Sequence, residues 1–395
     1  MLTRLRFKNW RSLRDVTIDN LTPLTVFIGA NSSGKTNIVD ALSFLRRMVQ
    51  QNNPQAVYFQ GERDRVRTIG ADKNDPLELE FSFKPVNAER PLTYTLIMQP
   101  GNKLIRFFER LIDGDGQVVL QASDGQGYTM SEVVGGVKED VQLTNALVFA
   151  SFQRAVVSPQ GEEAYIERRG QMYSFVSKRW QILRKNFMPP TSVPIDEYHD
   201  PYSIERSGRN VPTMLDFMQK TNRAVYDELQ SDMRWLLNHV DNLEVETDER
   251  ETRYDIVEKV LQGQKGPTTS TGTARILAML TAYYALDLRY PNQPGLLVIE
   301  EPDMAVHPAL LKRLVELFRE YVNREGYPRQ IMVTTHNPQF LNWFEPEEVR
   351  VVERDEDGDT SVHEIPTYIK GIWLDSGEYG LGDVWMTRSL GGVPE

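Results

Sequence analysis

Residues 22–48, TPLTVFIGANSSGKTNIVDALSFLRRM, constrain this chain more tightly than any other stretch. The first part, 22–30, is apolar and β-branched, which predicts a buried strand. Beyond Thr36 the apolar residues Ile38, Ala41, Leu42, Leu45 and Met48 recur at helical spacing, and Arg46 and Arg47 fall near the end, where cations suit the helix dipole. Between strand and helix, Gly29 to Thr36 fits G-x-x-x-x-G-K-[ST]. Glycines let such a turn point successive backbone N–H groups at one spot, and the helix N-terminus adds partial positive charge, so the fitting ligand is a phosphate chain. Lys35 is expected to reach the β- and γ-phosphates of ATP and the Thr36 hydroxyl to bind Mg²⁺. The predicted nucleotide contacts are Gly29, Asn31, Ser32, Ser33, Gly34, Lys35, Thr36 and Asn37. A chance match in a Gly/Ser loop is the competing reading, and the flanking strand and helix argue against it.

Two further strand ends carry chemistry. In GLLVIEEPD the apolar run Leu296 to Ile299 delivers Glu300 and Glu301 at its C-terminal tip, where α/β folds keep their sites. Glu300 would hold Mg²⁺, usually through water, and Glu301 would orient and deprotonate the water that attacks the γ-phosphate. The more usual metal-side residue is Asp, and the bland alternative is a solvated acidic pair. A helix should begin near Pro308, a favoured first-turn position for proline. The run IMVTTHNP then places His336 at another strand tip, where its ring can hydrogen-bond the γ-phosphate.

The rest of the chain organises around these points. Alternation in LELEFSF, LTYTLIM and LIRFFERLI, with turn residues between, predicts an antiparallel meander over 77–130. Residues 142–185 read as mostly helical, 187–212 as a Pro-rich connection, and 213–240 as helical again. The last third alternates helix and strand, which implies parallel strands under covering helices. We expect an N-terminal lobe with the P-loop and meander (1–150), a mainly helical insertion or lobe connection (151–260) and a C-terminal lobe (261–395). No long heptad run occurs, which argues against an extended coiled-coil arm.

Composition removes several function classes. There is no cysteine, so disulfides, thiolate zinc sites and cysteine nucleophiles are excluded. No apolar run reaches the ~18 residues that span a bilayer, which predicts a cytoplasmic protein without membrane partners. A net charge of −11 argues against a surface that coats nucleic acid throughout, so any such claim must rest on a patch. Arg168, Arg169, Lys178, Arg179, Arg184 and Lys185, interleaved with Tyr173, Phe175 and Trp180, form the candidate patch, against the plainer reading of a wet helix face.

The segments LRFKNWRSLRDVTID…LTVFIGANSSGKTNIVDAL and EEPDMAVHP…VTTHNPQFL, in this order around a long insertion, resemble the ABC-type ATPases of the RecF, SMC and OLD (overcoming lysogenization defect) group. The likeness is strongest to the stand-alone bacterial AAA-family ATPases of that group, and it covers about a third of the chain. It implies an ABC-type α/β P-loop fold with an antiparallel β-subdomain and a helical insertion. It also implies a signature motif ahead of the acidic strand, for which Ser270 and Gly272, in Ser270-Thr271-Gly272-Thr273-Ala274-Arg275, are the candidates despite their departure from LSGGQ. These would cap the γ-phosphate of ATP held by a second subunit, so that two nucleotides are sandwiched in a homodimer or higher oligomer. An ordinary helix cap is the alternative. A Mg²⁺-contacting glutamine is also implied, and Gln153 is the candidate.

Three roles compete on this basis. The leading one is an antiphage defence or DNA-surveillance ATPase that controls a separate effector, a nuclease or toxin. OLD-type relatives carry a nuclease after the last ATPase strand, and the stretch after His336 is shorter than a ~100-residue domain, so a nuclease would act in trans. The tail, with Trp373, Tyr379, Trp385 and Leu390, could dock that effector or pack on its own core. The second role is a DNA-repair ATPase that clamps duplex DNA directly, and the third a slow scaffold that sequesters a partner.

Overall fold

The computed structural model describes residues 1–50, 57–60, 66–72, 74–85, 90–100, 105–112, 114–116, 118–124, 128–134, 137–143, 174–197, 199–259, 270–289, 293–326, 329–369 and 379–393.

A six-stranded sheet holds the chemistry-bearing strand ends. Its order is β10 (Trp180–Leu183), β14 (Gly295–Glu300), β15 (Arg329–Thr335), β3 (Leu24–Ile28), β16 (Val349–Arg354) and β17 (Thr360–Glu364). The first five run parallel, and β17 closes the edge antiparallel to β16. Strands buried on both faces read as unbroken apolar runs, and β3, β14 and β15 are buried at every position. Alternate residues serve opposite cores: Val26, Ile299 and Val333 pack on one side, Phe27, Val298 and Met332 on the other.

Four helices lie on the first side: α2 (Val211–Thr221), α3 (Arg223–Leu236), α4 (Thr271–Arg289) and α5 (Pro308–Asn323). In α4, Ala274 and the run from Ile276 to Leu286 are almost wholly buried, because the helix lies between α3 and the sheet. His307 caps α5, its Nδ1 accepting from the Ala309 N–H at 3.2 Å, and Pro308 occupies the first turn. The second side is covered by α1 (Lys35–Gln50) and an eight-stranded antiparallel sheet.

That sheet runs β2 (Leu13–Ile18), β1 (Leu2–Trp10), β4 (Leu77–Phe83), β5 (Leu92–Pro100), β6 (Ile105–Ile112), β7 (Val118–Asp124), β8 (Tyr128–Val134) and β9 (Val137–Leu143). The expected meander is therefore present, extended at one edge by the N-terminal hairpin. A third sheet, β11 (Ser192–Pro194), β13 (Glu251–Glu258) and β12 (Val240–Thr247), packs beside α2 and α3.

The structure corrects one expectation about 142–185. Only 174–178 is helical among its later residues, and Trp180–Leu183 is a strand pairing in parallel with β14. Four apolar and amide residues cannot show a period, so only pairing with Leu296–Ile299 reveals them as a strand. Among the described residues no helix is long and apolar enough to cross a membrane.

Candidate active site

The loop after β3 is shaped by its neighbours as well as by its glycines. Gly34 adopts φ 114°, and a Cβ there would meet Thr360 Oγ1 at 2.2 Å. Thr360 donates to the Ser33 carbonyl at 2.8 Å and exchanges a hydrogen bond with Ser12 Oγ at 2.6 Å. Ser12 also accepts from Asn37 Nδ2 at 2.6 Å, and Trp10 Nε1 donates to the Asn37 carbonyl at 2.9 Å. The β1–β2 turn and β17 thus clamp the loop and the first turn of α1. Asn37, expected among the nucleotide contacts, has its side chain committed to Ser12 and Arg11.

Asn31, Ser32 and Thr36 are exposed, whereas Ser33, Gly34 and Lys35 are buried. The Lys35 ammonium donates to the Gly29 and Ala30 carbonyls, each at 2.7 Å. Burial pushes its pKa down to about 8, against the pull of Glu301 and Glu300.

β14, two strands away, supplies both carboxylates. Glu300 is 1% exposed. Its Oε2 pairs with Arg184 Nε at 2.7 Å and accepts from the Lys185 N–H at 3.2 Å. Burial raises its pKa, and Arg184, the Thr36 hydroxyl and the Lys185 N–H oppose that rise. Its Oε1 is buried with no hydrogen-bond partner at ordinary distance among the described residues. Glu301 follows the strand with φ 49°, a left-handed conformation that costs a non-glycine residue about 1–2 kcal/mol. The turn is held at both ends: the Glu301 N–H donates to the Thr334 carbonyl at 2.9 Å, and its carbonyl accepts from Arg275 at 2.9 Å. Glu301 Oε1 faces His336 Nδ1 at 3.3 Å.

Lys35, Thr36, Glu300, Glu301 and His336 therefore converge at the C-terminal edge of β3, β14 and β15. The donor set fits a hard cation: an exposed hydroxyl stands beside a buried carboxylate with one unpartnered oxygen. Among the described residues no group of three or more His, Cys, Asp or Glu could hold a metal alone, so the remaining ligands would come from phosphate and water.

Comparison with known proteins finds ATPase domains along both halves of the chain. Residues 1–122 match the family described as "AAA ATPase domain", and residues 172–342 match "AAA domain, putative AbiEii toxin, Type IV TA system". The OLD nuclease of Thermus scotoductus is 23% identical over 365 residues, covering 90% of this chain and 63% of that protein. The DNA replication and repair protein RecF of Lactococcus lactis is 31% identical over 88 residues, 21% of this chain and 24% of that one. The chain thus spans less than two thirds of either relative. The Smc head domain of Pyrococcus furiosus, solved with an extended coiled coil and bound to the C-terminal domain of ScpA, shares the fold: its TM-score is 0.50 at 12% identity, over 96% of this chain and 99% of that one. Both halves of the chain are thus similar to ATPase domains, and the likenesses together support an ABC-type, RecF/SMC/OLD-like ATPase fold.

For an ATPase of this type the signature candidates lie at the start of α4. Ser270 caps that helix, its Oγ accepting from the Thr273 N–H at 3.2 Å and donating to Thr273 Oγ1 at 2.8 Å. Gly272 lies against the loop after Glu301: a Cβ would meet the Ala305 carbonyl at 2.4 Å. The Gln153 candidate lies outside the described residues, as do Arg168, Arg169, Tyr173 and Trp373.

Several residues that build the site escaped sequence reasoning. Arg275 is 1% exposed, stacks 3.8 Å from the Phe187 ring centroid, and donates to the Lys185, Phe187 and Glu301 carbonyls. It joins the start of α4 to the tip of β10 and to Glu301. Arg184 pairs with Asp40 as well as with Glu300, and Asp40 also binds Arg11. No local pattern signals these contacts, which join residues far apart in the chain.

Where it is described, the basic stretch is only in part a wet face, with Lys185 exposed and Lys178 and Arg184 half-buried. Arg179 is 2% exposed and donates to the Gln293 carbonyl at 2.5 Å, while Phe175 and Trp180 are buried in the core between the sheets. The tail is partly internal where it is described: Leu381, Val384, Trp385 and Leu390 pack into the helical core and the Gly392 carbonyl accepts from the Ala30 N–H at 2.7 Å, whereas Tyr379 is exposed.

Proposed function

We propose that this chain hydrolyses ATP with Mg²⁺, dimerises around the nucleotide, and controls a separate effector. The convergence of Lys35, Thr36, Glu300, Glu301 and His336 on one strand edge carries the catalytic part of this reading. Thr36 and Glu300 would hold the metal, which supplies charge neutralisation of the β- and γ-phosphate oxygens when bound. Lys35 exchanges its loop carbonyls for phosphate oxygens, and the exposed N–H groups around Ser32 complete the cradle. Glu301 takes the proton of the attacking water, and His336, beside it, holds the water or the γ-phosphate by a hydrogen bond.

Dimerisation rests on the position of Ser270 and Gly272 at an exposed helix start beside the Ala305 turn. Control of an effector, in defence or DNA surveillance, rests on the likeness to an OLD nuclease and to RecF proteins. The alternative in which residues 168–185 clamp DNA is weakened, because Arg179 and Arg184 are spent on internal contacts.

Gel filtration and ATP turnover test the proposal together. The parental chain should turn over ATP, and Glu301→Gln should accumulate a dimer in saturating Mg·ATP while turnover drops about 10²- to 10⁴-fold. A monomeric Glu301→Gln variant under those conditions would remove the sandwich. Parental turnover in Lys35→Ala would remove the site.

A further inference from the structure

The turn that follows Glu301 contains a buried acid that the proposed chemistry does not use. Met304 and Ala305 are exposed, whereas Asp303 is 8% exposed. Two positions away on either side, Glu301 at φ 49° and Ala305 at φ 63° are both left-handed without being glycine, a conformation that side chains disfavour. The Met304 N–H donates to the Glu301 carbonyl and the Val306 N–H to the Asp303 carbonyl, each at 3.1 Å, which closes the turn.

The Asp303 carboxylate reaches across to β15. Its Oδ1 accepts from the Thr335 hydroxyl at 2.9 Å. Thr335 is wholly buried, and the same hydroxyl accepts from the Asn337 N–H at 3.0 Å. Burial raises the pKa of Asp303, with the Thr335 hydroxyl, its own N–H, the Asn337 side chain and His336 opposing that rise. His336 is thus bracketed: the residue before it and the residue after it are both tied to one carboxylate, which lies two positions from Glu301. Desolvating a carboxylate offsets most of what its hydrogen bonds return, so the tie adds little net stability. What it fixes is the offset between two strand tips.

We propose that Asp303 is a positioning residue for the site: through the Thr335 hydroxyl it holds the backbone on both sides of His336 and so sets where that ring stands against Glu301. This assignment rests on the reading of Glu301 and His336 as the pair that meets the γ-phosphate. Placement matters there, because a shift of ~1 Å in a reacting group can cost about 10²-fold in rate.

The test compares ATP turnover by the full chain and its variants, normalised to folded protein. Thr335→Val keeps the shape and removes the hydroxyl, and kcat should fall about tenfold while KM for ATP stays within about twofold, since the P-loop is untouched. Thr335→Ser keeps the hydroxyl and should recover most of kcat. Asp303→Ala removes the carboxylate together with the cost of burying it and should show the same split, which decides the matter should Thr335→Val fail to fold. In a His336→Ala background Thr335→Val should cost less than about twofold more, because its effect runs through the missing ring. Parental kcat in Thr335→Val, equal losses in Thr335→Val and Thr335→Ser, or an undiminished loss in the His336→Ala background overturns the proposal. A parent without turnover removes the proposed function instead. The ring resonances of His336, identified by their absence in His336→Ala, then decide the placement: they should shift in Thr335→Val and not in Thr335→Ser, and resonances unmoved by Thr335→Val overturn it.

Discussion

Glu301 and His336 face each other at 3.3 Å from the tips of two adjacent parallel strands, and only one of them is sheltered. The Glu301 side chain is 14% exposed, that of His336 43%. The carboxylate is held by a backbone turn bonded at both ends, while the ring stands toward solvent, where a terminal phosphate would arrive.

This asymmetry predicts different consequences for the two side chains. His336→Ala should slow ATP turnover by about 10²-fold, the usual loss for one directed hydrogen-bonding group, with an unchanged urea midpoint. Unaltered kinetics in that variant would return His336 to a structural role.

Lys35 predicts a pH dependence. Its folded pKa, about 8, lies below the ordinary 10.5, so between these values the unfolded chain binds more protons than the folded one. Stability of the ligand-free chain should therefore rise with pH across that window, by at most ~3 kcal/mol. Lys35→Met should lack this rise, and Mg·ATP should suppress it, because phosphate oxygens favour the charged amine. Identical pH profiles for the parent and Lys35→Met would refute the assignment.

Arg184 is the one basic side chain ion-paired with the buried Glu300 among the described residues. Arg184→Ala leaves that carboxylate uncompensated, and unfolding by urea should show a loss of about 3–5 kcal/mol. Adding Glu300→Gln should recover part of the loss, since the remaining group is neutral. A double variant as unstable as the sum of the singles would show that the pair is not coupled.

Gly272→Ala separates packing from any role in trans. The added Cβ meets the Ala305 carbonyl at 2.4 Å, so the start of α4 must shift away from the turn after Glu301. A drop of about 1–3 kcal/mol in the monomer is expected, as for other overpacked sites. Loss of ATP-dependent assembly with full monomer stability would instead place the role of Gly272 wholly at the subunit interface.

The strand-tip half of the candidate site was legible because its signals are local. A strand, a glycine turn and a helix are contiguous over 22–48, and the two acids and His336 each end an apolar run that can only be a buried strand. Physical chemistry read along the chain is enough for these, since burial on both faces and phosphate-ready N–H groups depend on neighbours in sequence. What holds them in place was not legible. Thr360 reaches Ser33, Arg184 reaches Glu300, and Arg275 reaches both Glu301 and the tip of β10, through contacts between residues distant in the chain. The strand Trp180–Leu183 shows the same limit, and so does the basic stretch around it. Whether an arginine is a solvated face or an internal tie depends on which distant carbonyl or carboxylate the fold brings to it, and only the tertiary structure decides that.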